Sequence, residues 1–300
     1  MDSSNSEEVE EIVIDKDSEI IELIHKKLSD VPDLTQCINV QRVVLRRNQI
    51  SEIRNLDSCL GIEELDFNDN QIHKIENVNH LVHLMELDLS YNIISEIDTL
   101  QTLTKLTHLY LAQNSISEIK GLSTLINLKY LELGANNIRI IENIEKLVNL
   151  EKLFLGKNKI TKIEGIEKLI NLRCLDIQAN RIRKIENLDT NIQLEELYLS
   201  HNGLEKIENL SATKQLCTVD LSNNNIKELG NLSQLSNLSE LWMNDNQIDD
   251  FEELKKISEL KDLETVYLER NPIYSDKMYR KKIQIYLPGI KQIDATFVRL

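Results

Sequence analysis

The chain has 300 residues, 41% of them hydrophobic and only 4% aromatic, with 8 glycines and 3 prolines. Its 50 acidic side chains outnumber 35 basic ones, and a net charge of −15 repels phosphate backbones and anionic lipid. Nucleic acid and membrane surfaces are thereby excluded as first partners, and a basic protein surface is favoured. No stretch reaches the roughly 20 apolar residues of a membrane span.

The amino end, MDSSNSEEVEEIVIDKD, holds seven acids and one lysine. It lacks the apolar run of a signal peptide, and residues 1–17 are expected to form a disordered acidic tail. The four cysteines, Cys37, Cys59, Cys174 and Cys217, include no C-x-x-C pair. Free thiols in a reducing compartment are expected. Asn209, Asn231 and Asn237 begin N-x-S sequons, read as chance matches in a sequence rich in Asn, Leu and Ser.

Beyond the tail one period dominates. LMELDLSYNII (84–94), LTHLYLAQNSI (106–116), LKYLELGANNI (128–138) and LEKLFLGKNKI (150–160) all fit L-x-x-L-x-L-x-x-N-x-I. Asparagine recurs every 22 residues from Asn48 to Asn246, and Asn271 follows after 25. This is the pattern of leucine-rich repeats. Each x-x-L-x-L forms a short strand of a parallel sheet. The later apolar positions, such as Ile160, Ile163, Ile166 and Leu169, return the chain along a convex side. Stacked units bury together what one unit cannot bury alone. The recurring Asn has both a donor and an acceptor, so it can satisfy backbone groups in the turn and along the stack.

A shift of 22 residues aligns Ile21, Leu23, Leu28, Val31 and Leu34 with Val43, Leu45, Ile50, Ile53 and Leu56. Lys26 stands where Asn would be. Residues 18–38 therefore read as a degenerate capping repeat, with an amphipathic helix over 18–28 as the competing reading. Residues 39–273 hold eleven repeats. At the other end, 250–263 reads as a helical convex segment. Ser275 or Asp276 is placed to cap a helix running through Tyr286, with Pro288 beyond its end, so 274–300 reads as a carboxyl-terminal cap. The expected fold is an α/β solenoid: a leucine-rich-repeat horseshoe with a parallel concave sheet and short helical or 3-10 convex segments.

Strand side chains alternate faces, so the residue between the two leucines points out of the concave sheet. Along the stack this position reads Val44, Asp66, Asp88, Tyr110, Glu132, Phe154, Asp176, Tyr198, Asp220, Trp242, Tyr267. From Asp88 to Trp242 acid and aromatic alternate without a break. Five of the chain's 13 aromatics lie in this one row, and Tyr130 and Glu240 share its face. Eleven strands make a ribbon of about 50 Å, long enough for an interface of about 1,600 Å². Aromatic rings are typical anchors, and the acids between them suit lysines and arginines of a partner.

Catalysis finds little support. Of six histidines only His108 and His201 map to the concave side, four repeats apart, and His80 with His83 forms an H-x-x-H on the run into a strand. There is no phosphate-binding glycine loop and no Ser/His/Asp pattern. No enzyme activity, cofactor or metal is expected.

The number of units, the ending LPGIKQIDATFVRL and the concave series together resemble one narrower group. This is the leucine-rich-repeat regulatory subunits of protein phosphatase 1 (the regulatory subunit 7 family), over roughly residues 38–300. The resemblance implies a scaffold that wraps the phosphatase catalytic subunit, with a third inhibitor subunit as an optional member. It implies influence on phosphatase assembly, localisation and activity in nucleus and cytoplasm, and a chain that is monomeric by itself. It also implies contacts at Asp88, Tyr110, Glu132, Phe154, Asp220, Glu240, Trp242 and Tyr267. Tyr110 stands where that family often has phenylalanine. The nearest match to the Arg/Lys-Val-x-Phe docking peptide, RVVL at 42–45, lacks the Phe and falls in a strand, so binding through that peptide is not expected. The same repeat class includes spliceosomal and axonemal scaffolds, which give the alternative partner, and bacterial adhesins, which the amino end disfavours.

Overall fold

Each L-x-L core forms a strand of only three residues. The computed structural model describes residues 13–298. Its strands are β1 (Ile20–Glu22), β2 (Arg42–Val44), β3 (Glu64–Asp66), β4 (Glu86–Asp88), β5 (His108–Tyr110), β6 (Tyr130–Glu132) and β7 (Lys152–Phe154). They continue with β8 (Cys174–Asp176), β9 (Glu196–Tyr198), β10 (Thr218–Asp220), β11 (Glu240–Trp242), β12 (Thr265–Tyr267), β13 (Gln292–Ile293) and β14 (Thr296–Phe297). All fourteen form one sheet in chain order. Neighbours are parallel except β13 and β14, which are antiparallel. Eleven strands are expected from the repeats; β1 before them and β13–β14 after them lengthen the sheet.

The central residue of each strand points into the solenoid, and Leu65, Leu87, Leu109, Leu131 and Leu153 are fully buried. Past the strand, burial recurs every third residue. Ile160, Ile163, Ile166, Leu169, Leu172 and Leu175 are all at 0% exposure. That spacing fits neither the 3.6 of an α-helix nor the 2 of a strand. The chain meets it with separate turns, such as Leu169 N–H to Ile166 O at 2.9 Å and Leu172 N–H to Leu169 O at 3.1 Å. The convex side is therefore mostly tandem turns. A 3-10 helix, Phe251–Ile257, forms only where a longer unit gives it room, capped by Asp250, which accepts from Glu252 N–H.

The repeating Asn ties its own unit to the one before it. Asn158 Nδ2 donates to Leu133 O (2.9 Å) and Leu155 O (3.1 Å), while its Oδ1 accepts from Ile138 N–H (2.9 Å). A second ladder, missed in the sequence, runs along the convex turns. Asn143 and Asn187, in left-handed backbone, donate to Ile119 O and Ile163 O at 2.7 Å. Asn209 and Asn231 belong to this ladder, donating to Ile185 O and Ile207 O, so their sequon amides already have a structural bond. Gly165 takes the same position with φ +73°, and a Cβ there would collide with Ile141 O.

The stretch 18–28 is strand and turn rather than helix. β1 pairs with β2 at an offset of 22, and Asn48 Oδ1 accepts from Lys26 N–H and Leu28 N–H. Residues 1–12 of the expected tail lie outside the described residues. At the other end the helix α1 (Tyr279–Tyr286) begins later than its sequence cap signals imply. Ser275 closes a 3-10 turn, Pro272–Ser275, by donating to Pro272 O, and Asp276 accepts from Met278 N–H. Both are spent before the helix starts. Tyr279, Ile283, Leu287 and Ile290 are buried over the last repeat. Asp294 supplies the acceptor half of the missing Asn, taking Leu268 N–H (2.9 Å), Glu269 N–H (3.0 Å) and Tyr279 O–H (3.1 Å).

Candidate functional site: the concave sheet

Because the strands stack in strict register, equivalent residues form rows across the sheet. One row runs Asp66, Asp88, Tyr110, Glu132, Phe154, Asp176, Tyr198, Asp220, Trp242, Tyr267. It brings together seven of the eight expected contact residues. Glu240, the eighth, lies in a second row two residues upstream, beside Trp242, with Glu64, Glu86, His108, Tyr130 and Glu196. Only part of that second row was read from the sequence, although the two-residue period carries the signal. His201 does not belong to the sheet. It is an exposed residue in the left-handed turn after β9.

The rings do not stand free in water. Tyr110 and Tyr130 lie 4.9 Å apart between centroids, Tyr130 and Phe154 5.1 Å, and His108 and Tyr130 5.8 Å. These four form a half-buried platform over β5–β7. Trp242 and Tyr267 make a separate edge-on pair at 5.7 Å. The Trp242 indole N–H is buried without an acceptor among the described residues. Between the two groups Tyr198 donates to Glu196 at 3.0 Å. Offset and edge-on contacts suit the ring quadrupoles and hold the side chains in place.

The acids divide by chain length. Each short Asp caps its own strand end: Asp66, Asp88 and Asp176 accept the N–H two residues on at 2.8 Å. Asp220 does the same toward Ser222 and is only 5% exposed, so its carboxylate is turned to the chain itself rather than outward. Glu132 reaches further, and among the described residues its carboxylate accepts only from Tyr130 O–H, at 3.5 Å. Burial, then the nearby Asp88 charge, raises its pKa. Burial likewise raises Asp66 and Asp176 against the hydrogen bonds that lower them. Burial pushes the Tyr110 phenol up to about 12, keeping it a neutral donor. The result is a face of stiff rings with desolvated carboxylates between them, chemistry suited to binding cations and apolar surface together.

The family model described as leucine-rich repeat matches residues 20–136 and 168–300. Protein phosphatase 1 regulatory subunit 7 of Danio rerio is 64% identical over 39 residues, 13% of this chain and 11% of that protein. The Homo sapiens protein of the same name is 62% identical over 39 residues, with the same shares. The match thus spans about a tenth of these relatives' length, far less than the 38–300 expected from the repeat pattern and ending. Among solved structures, an internalin from Listeria monocytogenes superposes with a TM-score of 0.73 at 24% identity, over 94% of this chain and 87% of that one. A leucine-rich-repeat protein of Leptospira interrogans gives 0.73 at 25% identity, over 89% and 75%. These likenesses carry the fold.

Proposed function

The chain belongs to the leucine-rich-repeat family, and from that premise we propose that it is a non-catalytic scaffold whose concave face binds the catalytic subunit of protein phosphatase 1. The observation that carries this reading is the continuous concave row of rings and desolvated acids. The short, highly identical match to regulatory subunit 7 supports the choice of partner. Glu132, Trp242 and Tyr267 are the principal contacts, with Asp88, Tyr110, Phe154 and Glu240 around them. Asp220 acts mainly by fixing the strand end beside Trp242. The scaffold influences phosphatase assembly, localisation and activity in nucleus and cytoplasm, with room for a third inhibitor subunit.

Purified chain and catalytic subunit form a one-to-one complex on this reading. Trp242→Ala with Glu132→Ala weakens it at least a hundredfold, since each is a desolvated contact of about 2 kcal/mol or more, without lowering the melting temperature much. Full binding by that double variant refutes the site. A second reading, a scaffold for a spliceosomal or axonemal protein, is favoured by the shortness of the 39-residue match. Affinity capture with wild type and the Trp242 variant side by side separates the two.

A further inference from the structure

A groove of about 440 Å³ lies at the amino-terminal end of the concave sheet, across β1–β5 and outside the row of acids and rings. Two apolar side chains face it, Ile20 at 52% exposure and Met85 at 43%. Around them stand four glutamates, Glu19, Glu63, Glu64 and Glu86, against one permanent cation, Arg42, and the His108 ring, which joins the groove to the edge of the β5–β7 platform. That arginine is already held by Glu64 at 2.8 Å and Glu22 at 3.2 Å. Glu86 is half-buried, and its carboxylate makes no hydrogen bond or ion pair among the described residues, although the His108 ring is its register partner on the next strand. Burial, then the neighbouring Glu64, raises its carboxyl. A half-buried charge without a partner is unfavourable, and an arriving cation relieves it.

Glu64 and Glu86 are register partners on adjacent strands, about 5 Å apart along the sheet. One guanidinium or ammonium can span that gap and bond to both carboxylates. Met85 adjoins Glu86, and Ile20 lies two strands from Glu64, about 10 Å away. An extended segment of three or four residues covers that distance at about 3.3 Å each. We propose that this groove is a second recognition site, which takes a short basic segment of a protein partner, with a lysine or arginine between Glu64 and Glu86 and an apolar neighbour on Ile20 or Met85. The acidic lining rejects phosphorylated and acidic segments. The site stands on the groove alone and holds whichever protein occupies the rings of β5–β12.

The test is fluorescence polarisation with the full chain and an array of dye-labelled octapeptides. In each, one lysine or arginine is flanked by leucine, isoleucine, methionine or phenylalanine. Saturable binding is expected for a subset, weakened at least tenfold by Glu64→Gln with Glu86→Gln and severalfold by Met85→Glu. Trp242→Ala leaves it unchanged. The proposal is overturned if no peptide binds saturably, or if the Glu64/Glu86 variant binds like wild type. Equal weakening by Glu145→Gln with Glu167→Gln, exposed acids on the convex side, also overturns it, since bulk charge alone would then explain the binding. Thermal melts of each variant confirm that the fold is kept.

Discussion

Replacing Asn158 by leucine tests how the solenoid holds its turns. Asn158 is 8% exposed and bonds to backbone groups in two adjoining units. Not all of those groups are stranded when it goes. Leu133 O keeps a bond from Asn136 Nδ2 at 3.1 Å, and Leu155 O keeps one from Asn180 Nδ2 at 2.9 Å. Ile138 N–H has Asn158 Oδ1 as its acceptor and loses it. One buried donor left without a partner costs about 1–3 kcal/mol, and each lost secondary bond about 0.5–1.5 kcal/mol. The expected destabilisation of Asn158→Leu is therefore about 2–6 kcal/mol, read by urea unfolding followed by circular dichroism. Asn158→Asp sharpens the test. Its carboxylate faces carbonyl oxygens, so its folded pKa lies above the unfolded one. The stability it contributes is complete below the unfolded pKa and lost as pH rises through the folded one. That variant should be weak at pH 7 and recover toward pH 4 relative to wild type, because a protonated Asp is again both donor and acceptor. A loss below about 1 kcal/mol in Asn158→Leu, or no recovery of Asn158→Asp in acid, refutes the ladder as the source of turn stability.

Three further outcomes are expected. The raised pKa of Glu132 means that its charged form weakens the fold above that pKa, and its contribution is full only below the unfolded value of about 4.3; Glu132→Gln should therefore melt higher than wild type at pH 7, with the gap closing toward pH 4. Gly165→Ala should destabilise by about 1–3 kcal/mol, whereas Gly165→Asn should cost less, since its amide can bond to Ile141 O as the ladder does elsewhere; Gly230→Ala, with open space around it, is the near-neutral control in the same melts. Tyr279→Phe removes the hydroxyl that meets both Asp294 oxygens at 3.1 Å, and should cost about 1–2 kcal/mol with hydrogen exchange rising first in β12–β14.

Much of the concave site is legible because a stacked solenoid converts period into position. A spacing of 22 in sequence becomes one strand spacing in space, so the row from Asp66 to Tyr267 can be read before any coordinates exist. The same arithmetic reaches the second row, yet it cannot show that His108, Tyr110, Tyr130 and Phe154 lean together. Ring contact depends on side-chain rotamers across three strands. Nor does it distinguish Glu132, which projects, from Asp220, which folds back onto Ser222. The difference is one methylene, and its effect appears only once the strand-end N–H is in place.

By itself the sequence determined the repeat, the parallel register, the inward leucines and the Asn ladder, because each follows from local composition repeated at a fixed interval. The tertiary structure alone decided three things. It made the convex side tandem i→i+3 turns, since burial at every third residue matches the 3.0-residue turn of a 3-10 segment and not the 3.6 of an α-helix. It began α1 at Tyr279, since Ser275 and Asp276 were consumed by the turns before it. It separated the concave rings into two groups and left the Glu86 carboxylate without a hydrogen bond or ion pair among the described residues, since which charges and rings meet depends on side chains from different units that have no fixed relation until the stack has formed.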